Sequence, residues 1–219
     1  ITNDLNRPAV DGLRFCLAKP TGQILGMGVL WPIKDGGYFV AFSDRSVFKQ
    51  RFGDSVIMEE VTLDNRTESL LAPQVKGEFE ATKETLAIES LELGWPKPGV
   101  DYTEKTLVSE LGADFVDRFV SFEKGCYTGQ EVLMRIKARG HTNKTWVGLK
   151  SEVPLTEGEE VFYEGERVGN VLRTAISPEL GAIASATIKN VAAQEGATVT
   201  VGGQQAIVCL MPLKKPTSS

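Results

Sequence analysis

Lys124-Gly125-Cys126-Tyr127-Thr128-Gly129-Gln130-Glu131 is the stretch on which the reading of this chain turns. Thr128 followed three residues later by Glu131 has the form of a capping box, in which the hydroxyl bonds the third helical N–H and the carboxylate reaches back to the cap. Beyond it, Val132, Leu133 and Ile136 mark one apolar face and Arg135, Lys137 and Arg139 the opposite one. The spacing predicts a helix opening directly after the loop. Cys126 then stands beside a lysine, just ahead of the positive end of a helix dipole, a setting that favours thiolate chemistry or contact with a metal. The plainer alternative is a small hydrophobe tucked under a helix.

Around this loop the charge changes sign. Lys124, Arg135, Lys137, Arg139 and Lys144 face a single acid, Glu131, in a chain whose formal net charge is -5. Such a concentration attracts a carboxylate-bearing tail, a phosphate or an acidic protein, or is a solvated helix face with a Glu131–Arg135 pair. The overall acidity and the lack of interleaved aromatics argue against direct nucleic-acid binding.

The three cysteines, Cys16, Cys126 and Cys209, are widely spaced, form no C-x-x-C, and are joined by one histidine, His141. That argues against a zinc site of usual spacing and against a disulfide framework, so a reducing, cytoplasmic setting is expected. Cys16 and Cys209 lie in apolar runs and read as core. No apolar run approaches the roughly 18 residues of a membrane span, so no membrane partner is expected.

Residues 13–19, 22–30 and 37–43 read as strands, the last two joined by a turn at Lys34-Asp35-Gly36-Gly37. Asp44 offers a cap for a helix with Val47, Phe48 and Phe52 on one face, and Val56 to Leu63 reads as another strand. A polar stretch, 64–84, follows. Leu86 to Leu93 reads as a strand, ended by Gly94-Trp95-Pro96-Lys97-Pro98-Gly99, and Thr103 as the cap of a short helix stopped by Gly112. From Lys144 the chain becomes short strands (144–150, 159–164, 166–174, 182–189, 197–201, 205–210) between Gly, Pro and acidic turns. That spacing predicts a small antiparallel barrel or sandwich.

Lys124 to Glu131 resembles the signature of the YgfZ group, folate-binding relatives of the glycine-cleavage T-protein (GcvT-like) that include mitochondrial iron–sulfur cluster assembly factors. The resemblance continues through Arg135 and Gly140. Upstream it takes in Leu91-Glu92-Leu93-Gly94-Trp95-Pro96, Leu107 to Gly112, Thr2-Asn3-Asp4 and Lys19-Pro20-Thr21-Gly22-Gln23-Ile24. It implies an α+β fold, a ring of subdomains with ferredoxin-like α/β layers and a C-terminal antiparallel β-barrel, around a channel for a reduced folate. In those terms 1–70 is a first α+β subdomain and 71–142 a second, carrying the folate glutamate and the signature loop. Residues 143–213 are the barrel and 214–219 a tail. Relatives carry a further strand and helix before the Thr-Asn-Asp turn, so sequence missing at the N-terminal end is expected.

The resemblance further implies tetrahydrofolate or a derivative as cofactor. Glu92 takes the place of the glutamate that binds the pterin, since a carboxylate accepts two parallel N–H bonds from a 2-amino-4-oxopterin. Trp95, Lys124, Tyr127, Gln130 and Arg135 are further cofactor-binding candidates. For Trp95, packing is the competing role. Cys126 is the candidate thiolate, or a cluster ligand shared with a partner, because one cysteine is too few to hold a cluster. No resident metal is implied.

Two departures from the family pattern matter. Aminomethyl-transferring T-proteins carry an acidic pair, including their catalytic aspartate, where this strand has Gly26 and Met27. Neither can orient a folate amine or stabilise an ammonium, so a glycine-cleavage aminomethyltransferase is disfavoured. A tryptophan found upstream of the glutamate in some members is replaced by Leu86. The implied function is a tetrahydrofolate-binding accessory protein in iron–sulfur cluster assembly or repair. Its effect on tRNA modification is indirect, and its partners are iron–sulfur carriers or client proteins. The alternatives are a folate-dependent one-carbon (aminomethyl) transferase or demethylase, and a binding module without chemistry.

Overall fold

The computed structural model describes residues 2–3, 12–32, 38–43, 83–140 and 142–214. The expected turn at 34–37, helix from Asp44, strand 56–63, most of the polar stretch, His141 and the end of the tail lie outside them.

Three strands rich in β-branched and aromatic residues open the fold: β1 (Leu13–Ala18), β2 (Ile24–Pro32) and β3 (Tyr38–Phe42), an antiparallel sheet in that order. The β1–β2 turn is set by Pro20, and the Gly22 N–H closes it on the Lys19 carbonyl at 2.9 Å. Edge bonds from Ile24 N–H to Thr106 carbonyl (2.9 Å) and from Val108 N–H to Gly22 carbonyl (3.0 Å) tie this sheet to the next segment.

Residues 83–92 form helix α1 (Lys83–Glu92) rather than the expected strand. Its apparent apolar alternation is accidental: Leu86 is exposed, and only Leu91 and Glu92 in the last turn are buried. The straight-chain, strongly helix-forming composition therefore decides. Thr103 does not cap a helix; its hydroxyl accepts from Lys105 N–H in a local turn, and only Val108–Leu111 is helical, as a 3-10 turn. Gly112 ends it as expected and leads into α2 (Ala113–Phe119), whose Phe115 and Phe119, one turn apart, stack at 4.1 Å between centroids. Helix α3 (Gln130–Arg139) follows, with Leu133 buried and Arg135 and Lys137 exposed.

The six remaining strands match the spacing read from sequence. β4 (Lys144–Ser151), β5 (Glu160–Tyr163), β6 (Glu166–Ser177), β7 (Gly181–Lys189), β8 (Thr198–Val201) and β9 (Gln204–Cys209) close into an antiparallel barrel, order β4-β7-β6-β5-β8-β9. Strand alternation sorts side chains between two cores. Val147, Leu149, Val171, Ala184 and Val208 fill the barrel. Trp146 and Ile183 instead join Cys16, Ile24, Leu91, Phe115, Phe119 and Leu133 in a second core shared with the α/β part. The fold is thus mixed α/β with a closed C-terminal antiparallel barrel, as expected.

Candidate functional site

The signature loop is built by its own polar groups. The Gln130 side chain accepts from Tyr127 N–H at 3.3 Å and donates to the Lys124 carbonyl at 3.4 Å, so both of its ends are used within the loop. Lys124 Nζ donates to the Asn3 carbonyl at 3.0 Å and lies 5.7 Å from the Tyr127 ring. The expected capping box does not form. The helix cap is Gly129, at φ 85°, with no side-chain cap bond, and Thr128 is exposed. The reason is steric: a Cβ at Gly129 would lie 2.6 Å from the Lys19 carbonyl oxygen. The loop can approach the β1–β2 turn this closely only through a left-handed glycine. Glu131 pairs instead with Arg135 at 2.7 Å, and Lys137 sits 4.0 Å from the Phe122 ring. Cys126 is left exposed, whereas Cys16 and Cys209 are buried.

Behind the loop, Thr2 and Asn3 latch three distant segments. The Thr2 hydroxyl donates to the Phe119 carbonyl at 2.7 Å and accepts from Cys16 N–H at 3.0 Å. The Asn3 amide donates to the Arg14 and Arg118 carbonyls at 2.7 and 3.0 Å. Burial pushes the Cys16 thiol up to about 12. The Tyr127 hydroxyl is buried near it without a hydrogen-bond partner; burial, then the Cys16 thiol, raise its pKa to about 12.

Glu92 ends α1, and its residue is 6% exposed. Its carbonyl accepts from Lys214 N–H at 2.9 Å, but among the described residues its carboxylate has neither a hydrogen bond nor an ion pair. The turn after it is gripped from both sides. Arg118 donates to the Leu93 and Gly94 carbonyls, and Arg173 donates to the Ser90 hydroxyl at 2.9 Å and the Trp95 carbonyl at 2.7 Å. Trp95 packs its half-buried ring edge-on with Phe119 at 5.4 Å, and the Arg14 guanidinium lies 5.9 Å from the ring centroid. The packing role weighed for Trp95 is therefore visible.

Asp101, 4% exposed, anchors this turn to the barrel. Its carboxylate accepts from Lys97 N–H (2.7 Å), Trp146 Nε1 (3.1 Å) and the Ser185 hydroxyl (2.5 Å), and pairs with Arg173 Nε at 2.7 Å. Sequence reading missed Asp101 and Arg173, whose partners are far apart in the chain. It also missed Arg14, which did carry a signal as the lone charge in an apolar strand.

Among the candidates, then, Lys124, Tyr127 and Gln130 meet in one loop with Cys126 exposed at its surface. Glu92 and Trp95 meet in a second element, and Arg135 stands on the outer face of α3. Gly26 and Met27 are buried in β2. Among the described residues no group of three or more His, Cys, Asp or Glu is placed to hold a metal ion, and no helix is long and apolar enough to cross a membrane.

Residues 144–215 match the glycine cleavage T-protein C-terminal barrel domain. The chain is similar to the "tRNA-modifying protein YgfZ" of Escherichia coli O157:H7, 28% identical over 166 residues, covering 70% of this chain and 48% of that protein. It is also similar to the protein of the same name from Escherichia coli O127:H6, 30% identical over 143 residues, 59% of this chain and 41% of the relative. The chain thus spans about half the length of the curated relatives it matches. Among solved structures, that of the glycine cleavage system aminomethyltransferase T from Bartonella henselae superposes with a TM-score of 0.64 at 14% identity, covering 92% of this chain and 76% of the other. At that identity the likeness speaks for the fold alone. The barrel match and the named relatives make this chain similar to the YgfZ group, on a fold it shares with the glycine-cleavage T-protein.

Proposed function

We propose that this chain is a reduced-folate-binding accessory protein in iron–sulfur cluster assembly or repair, affecting tRNA modification indirectly through cluster-containing modifying enzymes. The observation that carries the folate half is Glu92: its residue is only 6% exposed, yet its carboxylate oxygens reach solvent and, among the described residues, have neither a hydrogen bond nor an ion pair, on a turn braced from both sides. An unbonded carboxylate opening to solvent from a mostly buried residue suits a ligand that arrives with its own N–H donors, as the 2-amino-4-oxopterin of tetrahydrofolate does. Bound there, the folate would supply a redox-active or one-carbon-carrying ring; Glu92 would hold it and the Trp95 turn would shape the wall.

The cysteine half is supported by the loop. Its Gln130 side chain is spent within the loop, Lys124 ties it to Asn3, and Cys126 is exposed at its surface. That suits a thiol presented to a persulfide, a cluster or an electrophile on an iron–sulfur carrier or client, within the reducing cytoplasm. The transferase alternative lacks support in β1 and β2, where no acid stands beside Gly26 and Met27.

Titration calorimetry with tetrahydrofolate tests the reading. Micromolar-range binding that weakens at least tenfold in Glu92→Gln is expected, about 1.4 kcal/mol. Absence of binding to the unmodified chain would overturn the folate half, and full complementation of a factor-deficient strain by Cys126→Ser would overturn the cysteine half.

A further inference from the structure

Arg14 is the lone charged residue of β1, and its guanidinium stands 5.9 Å from the centroid of the Trp95 ring. Its Nε is buried without a hydrogen bond, and among the described residues the side chain has no ion pair. The cations around it are answered. Arg118 pairs with Asp114 at 2.6 Å and spends its amino groups on Leu93 and Gly94, and Arg173 pairs with Asp101 at 2.7 Å. Burial lowers the Arg118 pKa, Asp114 raises it, and the nearby Arg14 lowers it again, so two guanidiniums share this wall with one carboxylate between them. A partly desolvated cation without a counter-charge is unfavourable, and a guanidinium fork matches a carboxylate in two parallel bonds.

We propose that Arg14 is the anion-recognising residue of the Glu92–Trp95 site and takes a carboxylate of the glutamyl tail of a reduced folate. The inference rests on the folate reading and deepens it. Glu92 and Arg14 are opposite charges, neither with an ion pair among the described residues, on the two segments that meet at Trp95. A ligand with paired N–H donors at one end and a carboxylate at the other answers both; a bare pterin answers one.

The test is titration calorimetry of the whole chain, at low ionic strength and with reductant, using tetrahydrofolate and its glutamyl diamide, which has the same rings and tail without the charge. The unmodified chain is expected to bind the acid roughly 10- to 100-fold more tightly than the diamide. Arg14→Gln should remove that preference by weakening the acid alone, and Arg14→Lys should keep part of it. Equal affinity for acid and diamide in the unmodified chain overturns the proposal whether or not the variants fold. A preference retained in Arg14→Gln overturns it by assigning the carboxylate to another cation. Binding of neither ligand brings down the folate reading and this inference together, whereas equal binding of both spares that reading.

Discussion

Two acids nine residues apart, Glu92 and Asp101, are both buried, at 6% and 4% exposure, and are treated in opposite ways. Asp101 accepts from a backbone N–H, an indole and a hydroxyl and pairs with an arginine, all in place within the chain. Among the described residues the Glu92 carboxylate has none of these. A carboxylate whose bonding capacity is filled by its own protein serves architecture. One that reaches solvent from a mostly buried residue stays open to an outside partner. The same contrast separates Gln130, spent inside its loop, from the Tyr127 hydroxyl, buried without a partner.

The comparison is broken most forcefully at Asp101. Asp101→Ala strands the buried Arg173 charge and the Trp146 N–H, and should lower stability in urea unfolding by about 3–5 kcal/mol. A loss below about 1 kcal/mol would mean the hub is not structural. Next comes Gly129→Ala, which places a Cβ against the Lys19 carbonyl at positive φ. About 2 kcal/mol should be lost, with faster alkylation of Cys126 as the loop loosens; an unchanged melting temperature would show that the loop is not held there.

Alkaline pH probes the wall behind the loop. The Cys16 thiol is raised from 9.0 to about 12 in the folded chain, so between those values the unfolded chain has released a proton that the folded chain keeps. Stability is therefore complete below pH 9 and falls as pH rises, by about 1.4 kcal/mol per unit from this group. Tyr127, raised in the same direction, adds to the fall. Cys16→Ala should flatten the profile, and an equally steep slope in that variant would assign the effect elsewhere.

Glu92→Gln sharpens the comparison by its smallness. Without a native bond to break, it should change stability by no more than about 1 kcal/mol in either direction while weakening ligand binding. A loss of 3 kcal/mol would place Glu92 in the same class as Asp101. Smallest of all, exposed Cys126→Ser should stay within about 0.5 kcal/mol of the parent.

The barrel was legible in the sequence because alternating strands between Gly, Pro and acidic turns leave few other readings. The first sheet was legible for the same reason. Helix α1 was not: Leu86, Ile88 and Leu91 fit either period, and only packing shows that Leu86 faces outward. The capping box failed because the Thr128-x-x-Glu131 pattern is local, whereas the cap is chosen by the approach of Gly129 to Lys19 across the fold. Within the candidate site, the loop was singled out by its own local chemistry, and Glu92 through resemblance. The Asp101–Arg173 hub was not legible, since its partners are separated by as many as 84 residues. The inward-facing hydroxyl of Tyr127 follows only from burial.

The latch made by Thr2 and Asn3 also has a history in time. Its bonds to Phe119, Arg118 and Lys124 span 115 to 121 residues, and contacts of such separation carry a large closure entropy and form late. A chain emerging N-terminus first presents β1 long before α2 and the signature loop exist to cover it. Until they arrive, Cys16 is an open thiol, and the cysteine that is most inert in the finished molecule is among the most vulnerable in the nascent one.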